Sequence, residues 1–238
     1  MSFLIFGGRS PIALALCKLI AENNLDVLLV TRKIDPELSE LVEKLKLKSL
    51  IECDLEDSTS AVALASRIDQ ESKGLQGIAF LHRYRSENPK SFVQYSVEVD
   101  TPFRILDAIS KQKRLNECSI VFATSPAATE VVSDQDFQYH ASKAAVNQII
   151  RFGSVNFAKF GLRVNGINPG LFVYKERASK FYKENPEILE EAIKKVPLGR
   201  IASVEEIASV TFFLLTAASS YINGQIINID GGISNTTL

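Results

Sequence analysis

The sequence predicts a doubly wound α/β domain, a three-layer α/β/α sandwich built on a seven-stranded parallel sheet. Three observations carry that expectation. Seven short β-rich runs alternate with longer segments of helical period, an order that calls for parallel strands joined by crossover helices. The β-rich runs are nearly continuous in apolar residues instead of alternating, so helices are expected on both faces of the sheet. No repeat, low-complexity stretch or linker interrupts the 238 residues, so one domain over 1–238 is expected. A chain of this length buries roughly 70–75% of its unfolded surface.

The elements follow in order. SFLIF (2–6) ends at Gly7-Gly8 and leads into a helix over Pro11–Asn23, with Ser10 placed to cap it and Pro11 suited to its first position. DVLLVT (26–31) precedes a helix over Asp35–Lys46, and SLIECD (49–54) one over Asp57–Ser72. GIAFLH (77–82) precedes a helical stretch over Pro89–Lys113, and SIVFATS (119–125) a helix over Phe137–Lys159. LRVNGIN (162–168) is followed by helical segments around 174–194 and 203–217, and GQIINID (224–230) is the last strand. Residues 171–195, mixed aromatic and charged, are expected to form a lid, with Tyr174, Phe181 and Tyr182 either lining the substrate space or packing as helix core.

Composition narrows the partners. Lys plus Arg is 27 and Asp plus Glu is 28, a net charge of -1 with no long block of one sign, which argues against nucleic-acid and membrane partners and for a small molecule. Cys17, Cys53 and Cys118 are odd in number and widely spaced, so neither a disulfide framework nor a metal site is indicated, and buried thiols in a reducing compartment are expected. The apolar start is too short for a leader, and ASVTFFLLTAA (208–218) falls short of the ~20 residues a membrane helix needs. A cytoplasmic protein is the expectation.

In such sheets ligands sit beyond the carboxyl ends of the strands, so residues just after a strand are site candidates. The turn Gly7-Gly8-Arg9-Ser10-Pro11-Ile12 feeds a helix N-terminus, where backbone amides can hold a pyrophosphate, although an ordinary glycine-rich connector reads the same way. Gly7 permits a tight turn and Gly8 a close backbone approach. After the second strand stand Arg32 and Lys33 where an acidic residue would bind a free ribose hydroxyl, so with Arg9 they favour NADP(H) as cofactor, with NAD(H) left open because an Arg and Lys solvated in a loop read the same way. Asp54-Leu55 follows the third strand and reads equally as an adenine contact or a helix cap.

Tyr139 and Lys143, in YHASK, are four apart on a helix and share one face. A phenol with pKa near 10 is a poor base at neutral pH, and an ammonium ~4–5 Å away is worth about 4 kcal/mol at an effective dielectric near 20. Lys143 can therefore tune Tyr139 for acid-base work. Ser125, at the end of the fifth strand, is placed to bind a substrate oxygen.

With these residues assembled, the chain resembles the short-chain dehydrogenase/reductase family nearly end to end: Gly7, Asp54-Leu55, Ser125, YHASK, RVNGINPG (163–170), PLGRIASVEEIA (197–208) and YINGQIINIDGG (221–232) carry the likeness. The resemblance implies a Rossmann-type fold and the triad Ser125, Tyr139 and Lys143. It further implies Lys143 on the nicotinamide ribose, backbone after Pro169-Gly170 against the carboxamide, and a homodimer or homotetramer. Three departures stand out. Phe6, Pro11 and Ala13 replace the Thr and two glycines of the family's T-G-x-x-x-G-x-G turn. Leu81-His82-Arg83-Tyr84 replaces N-N-A-G, so that His82, Arg83 or Arg85 faces an anionic part of the substrate or simply sits in a solvated loop. Glu98 replaces a helical Asn that supports a relay water, and either holds that water or points to solvent. The implied activity is hydride transfer between NADP(H) and a carbonyl or alcohol substrate, with Tyr139 as general acid/base; the alternative is a nucleotide-binding homologue with little turnover. An extended epimerase needs a longer C-terminal region, and an enoyl reductase spaces its Tyr and Lys seven apart.

Overall fold

A computed structural model describes residues 2–71, 75–85, 91–111, 117–133, 135–170 and 176–236. The chain runs β1 (Ser2–Phe6), α1 (Pro11–Glu22), β2 (Asp26–Thr31), α2 (Pro36–Lys44), β3 (Ser49–Glu52), α3 (Ser58–Glu71) and β4 (Leu75–Phe80). Then come α4 (Ser91–Tyr95), a π-helical turn (Ser96–Asp100), α5 (Thr101–Ser110), β5 (Cys118–Ala123), α6 (Phe137–Asn156) and β6 (Leu162–Pro169). α7 (Glu176–Glu184), α8 (Pro186–Lys194), α9 (Val204–Leu215) and β7 (Ile226–Ile229) complete it.

The seven strands pair in parallel in the order β3-β2-β1-β4-β5-β6-β7. Alternate side chains of each strand feed the two apolar layers. Leu4 and Phe6 of β1, Leu28 and Val30 of β2 and Ile120 and Phe122 of β5 join the layer covered by α3, α5 and α6. Phe3, Ile5, Val27, Leu29 and Val121 join the layer covered by α1, α2 and α9. Both layers are buried, which is why the strands read as unbroken apolar runs. Near the carboxyl ends of β1, β4 and β5, the rings of Phe6, Phe80 and Phe122 stack at 4.8 and 4.7 Å between centroids.

The sequence pattern gives the elements but several ends move. β3 stops at Glu52, two residues before Asp54, and β5 stops at Ala123, two before Ser125. β4 begins two residues earlier than expected and ends at Phe80. The fourth helical stretch is not regular, because the π-helical turn at Ser96–Asp100 separates α4 from α5. Residues 171–175, including Tyr174, lie outside the described residues. The rest of the expected lid forms α7 and α8, and neither Phe181, 45% exposed, nor Tyr182 lines the main cavity.

RVNGINPG works first as a fastener. The Arg163 guanidinium donates to the carbonyls of Leu214, Thr216 and Ile222, satisfying acceptors at the end of α9, and Asn165 Nδ2 donates to Ile222 O. The start of α9 is closed by a capping box, in which Ser203 Oγ accepts from Glu206 N at 3.2 Å and Glu206 Oε2 accepts from Ser203 N at 2.8 Å. Ser10, at the same position on α1, makes no side-chain cap bond. Ser203→Ala is therefore expected to lower the unfolding free energy by about 1 kcal/mol. Ser10→Ala should change it by less than about 0.5 kcal/mol in the same urea titration, and equal losses would contradict the contrast.

Candidate active site

Strand order reverses between β1 and β4, and a cavity of about 710 Å³ lies there, beyond the carboxyl ends of the strands. It is lined by Ser125, Tyr139 and Lys143 together with Gly7, Gly8, Arg9, Ser10, Ile12, Arg32, Asp54, Leu55 and Pro169. His82, Arg83 and Arg85 line it as well. One cavity thus gathers residues at the carboxyl ends of β1 through β6 with the starts of α1 and α6.

The first turn is shaped by close backbone contacts. Gly7 has φ +112°, and a Cβ there would lie 2.9 Å from His82 N and Leu81 C, so no side chain fits. Gly8 lines the cavity and is also needed for packing: a Cβ would lie 2.8 Å from Thr31 Cβ, so its bareness lets the turn pack on β2. The amides of Gly7 and Gly8 both donate to Val30 O, at 3.1 and 2.9 Å. What remains for an anion is the start of α1, which has Pro11 at its head, no acidic residue in its first turn and no capping side chain.

Arg9 and Arg32 are not unpaired cations. Arg9 pairs with Asp35 and, at 3.5 Å, with Glu37, and Arg32 lies 3.8 Å from Glu56. Both guanidinium side chains are more than half exposed, so such pairs are worth at most about 1 kcal/mol and exchange readily for a phosphate. Asp54 does not cap α3. Its Oδ1 accepts from Glu56 N at 3.0 Å, and Asp57 is the residue whose carboxylate receives the amides of Thr59 and Ser60.

At the far end of the cavity, Asp136 caps α6 by accepting from Tyr139 N at 2.7 Å, which fixes the tyrosine in the first turn. His140 fastens the preceding segment: its Nδ1 donates to Asp136 O at 2.7 Å and its Nε2 accepts from Val132 N at 2.9 Å, the arrangement of a neutral ring. Tyr139 is 8% exposed, and Lys143 Nζ lies 5.6 Å from its ring centroid while donating to Ala123 O at 3.3 Å. Ser125 caps a short 3-10 turn, its Oγ accepting from Ala127 N at 3.3 Å, which leaves its own proton to donate.

The description of the family model that matches residues 7–234 is enoyl-(acyl carrier protein) reductase. The chain belongs to the short-chain dehydrogenase/reductase family. It is 29% identical to galactitol 2-dehydrogenase (L-tagatose-forming) of Cereibacter sphaeroides, over 96% of this chain and 92% of that one. It is 42% identical to a tropinone reductase homolog of Arabidopsis thaliana over 49% of this chain and 43% of that one. Its fold is similar to that in the Pseudomonas aeruginosa RhlG/NADP active-site complex (TM-score 0.82, 23% identity, 98% and 95% covered). It is equally similar to a short-chain type dehydrogenase/reductase from Mycobacterium marinum (TM-score 0.82, 23% identity, 99% and 95% covered).

This short-chain dehydrogenase/reductase holds Glu98 away from solvent, one of the two places the sequence allowed it. The π-helical turn carries it inward, and Glu98 Oε2 lies 2.9 Å from Lys143 Nζ, the two side chains 1% and 5% exposed. Oε2 accepts no well-directed hydrogen bond, so the contact is an ion pair, while Oε1 accepts from Tyr84 N at 2.9 Å. His82, next to it, donates from Nε2 to Val97 O at 2.9 Å, and burial of its ring nitrogens pulls its pKa down to about 4, so the ring is neutral. Lys143 is therefore half of a buried pair and not a lone ammonium, and the field it sets up at Tyr139 is that of a dipole. The cation directly over the tyrosine is Arg83, whose Cζ stands 4.0 Å from the ring centroid while its guanidinium donates to Gln135. No spacing rule joins Glu98 or Arg83 to α6, since the contacts depend on how the fourth crossover docks.

Breaking one side of the buried pair strands a charge. Glu98→Gln is expected to cost about 3–5 kcal/mol of unfolding free energy, and Glu98→Leu combined with Lys143→Met to recover most of it. A loss below about 1 kcal/mol for Glu98→Gln in chemical denaturation would mean the pair is solvated.

Proposed function

We propose that the protein is an NADP(H)-dependent carbonyl reductase or alcohol dehydrogenase with Tyr139 as its general acid and base. The observation that carries this is the joint opening of Ser125, Tyr139 and Lys143 onto the cavity that also receives the start of α1. The uncapped first turn of α1 fits a pyrophosphate, and Arg9 and Arg32, with their exposed and exchangeable carboxylate partners, fit a 2'-phosphate. Asp54 and Leu55 would border the adenine, Lys143 the ribose hydroxyls, and backbone beyond Pro169 the nicotinamide. When bound, the nicotinamide supplies or takes the hydride.

In this reading Ser125 donates its hydroxyl proton to the substrate oxygen and holds it beside Tyr139. Tyr139 gives that oxygen its proton as the carbonyl is reduced and takes it back in the reverse direction. Burial of the phenol excludes bulk water from the transfer. The spacing of four between Tyr139 and Lys143 supports carbonyl chemistry over the enoyl reduction that the matching family model's description carries. A homologue with little turnover is the second reading, and one observation favours it: Glu98 already compensates the charge of Lys143. A cytoplasmic homodimer or homotetramer completes the proposal. In support, Phe92 and Tyr95 on α4 and Phe152 and Val155 on α6 remain exposed, and Cys17 and Cys118 are fully buried thiols.

A panel of ketones and aldehydes, with an enoyl thioester alongside, read at the nicotinamide absorbance with NADPH, tests the proposal. NADPH is expected to bind about 10–100-fold more tightly than NADH, the worth of one or two charge-assisted contacts. Tyr139→Phe is expected to abolish ketone reduction while leaving the melting curve and NADPH affinity in place. Tighter NADH binding would remove the role of Arg9 and Arg32. Near-normal turnover in the Phe variant, or turnover of the thioester alone, would remove the chemistry assigned to Tyr139.

A further inference from the structure

We propose that the substrate is an anion, a short-chain oxo acid or hydroxy acid whose carboxylate is held by Arg83; this rests on the reading of Tyr139 as the residue that meets the reacting oxygen. The loop after β4 carries Arg83 into the cavity and sets its guanidinium over the face of Tyr139, 4.0 Å from the centroid. That position is built and not incidental. Gln135 accepts from the guanidinium, Val132 in the same segment is tied to His140, and Asp136, next in the chain, caps α6 through Tyr139 N. On the other side, Tyr84 N, the next residue's amide, is tied to the buried carboxylate of Glu98. Arg83 is thus fixed from both sides.

Charge decides what it is for. Among the described residues, Arg9 and Arg32 have carboxylate partners, and Lys143 is compensated by Glu98. Among the same described residues, the partners of Arg83 are neutral, an amide oxygen and a phenol ring. The acidic residues lining the cavity are Asp54 and Glu56, both after β3, and Glu56 already faces Arg32. A guanidinium with five N–H donors, one arm on Gln135, keeps donors for a planar anion and is held in orientation by its stack on the ring. Because the same ring bears the hydroxyl that meets the reacting oxygen, the anionic group must sit close to the reacting carbon, which selects a short oxo or hydroxy acid over a long chain with a remote charge.

The test compares a 2-oxo acid and a 3-oxo acid with their methyl esters, in the wild type, Arg83→Gln and Arg83→Lys, with NADPH affinity measured separately. Wild type is expected to prefer the acid at least about 10-fold in kcat/KM, and Arg83→Gln to lose that preference by about 10–100-fold, mainly through the KM for the acid. Arg83→Lys should keep part of it, and NADPH affinity should stay within about 2-fold, well inside the effect of one charge-assisted bond. Equal use of acid and ester by the wild type overturns the inference. So does a parallel loss on both in Arg83→Gln, which would make Arg83 a partner of Tyr139, or weakened NADPH binding, which would make it a nucleotide contact. If no oxo compound is turned over, the reading of Tyr139 fails on its own terms, and calorimetry of the acids and esters with the NADP+ complex decides the present point. Arg83-dependent binding of the acid then upholds it, and binding without preference overturns it.

Discussion

The reversal of strand order between β1 and β4 is the constraint on which the rest of this molecule depends. In a parallel sheet each strand needs a crossover, and where successive crossovers depart in opposite directions the loops above the sheet part and leave a crevice. Here the two loops that part are Gly7–Ser10 after β1 and Leu81–Arg85 after β4, and the cavity lies between and beyond them. Gly7 shows how close the strands themselves must stay, since its missing Cβ is the only room left beside the backbone of Leu81 and His82. The stacked rings of Phe6, Phe80 and Phe122 hold the strand ends under the crevice in register.

Above that floor the charges are arranged in two tiers. The inner tier is the Glu98–Lys143 pair, buried to 1% and 5% exposure. A pair this deep adds little net stability once desolvation is counted, so its physical consequence is placement. It fixes the ammonium under Tyr139, anchors Tyr84 N through the other carboxylate oxygen, and thereby sets the path of the loop that carries Arg83. The outer tier consists of Arg9 and Arg32 with exchangeable surface partners, and Arg83 with none that is charged among the described residues. Compensated charge thus lies inside and exchangeable charge outside.

Much of this was legible in the sequence because it depends on short-range pattern. Continuous apolar runs gave the seven strands, their alternation with helical periods gave the layers, and a spacing of four put Tyr139 and Lys143 on one face. What was not legible depends on packing between elements distant in the chain. Glu98 read either as the holder of a relay water or as a solvent-facing helix residue; a π-helical turn places it inward against Lys143, and nothing in SVEVDTPF signals that turn. Gly8 read as room for a ligand, and that its bareness also makes room for Thr31 was not legible. Ser10 and Pro11 looked like a cap with its first residue, yet the hydroxyl bonds nothing in the helix, since its role as N-cap depends on a rotamer that sequence does not specify. Arg9 and Arg32 read as available cations, but Asp35, Glu37 and Glu56 come within reach only after α2 and the segment following β3 have docked.

The most direct measurement is a crystal structure of the protein with NADP+ bound. The account expects the pyrophosphate at the start of α1, the nicotinamide beside Tyr139 with Lys143 reaching its ribose, and the Glu98–Lys143 contact preserved. A nucleotide bound elsewhere, or a Lys143 drawn away from Glu98 so that the pair is broken, would contradict it.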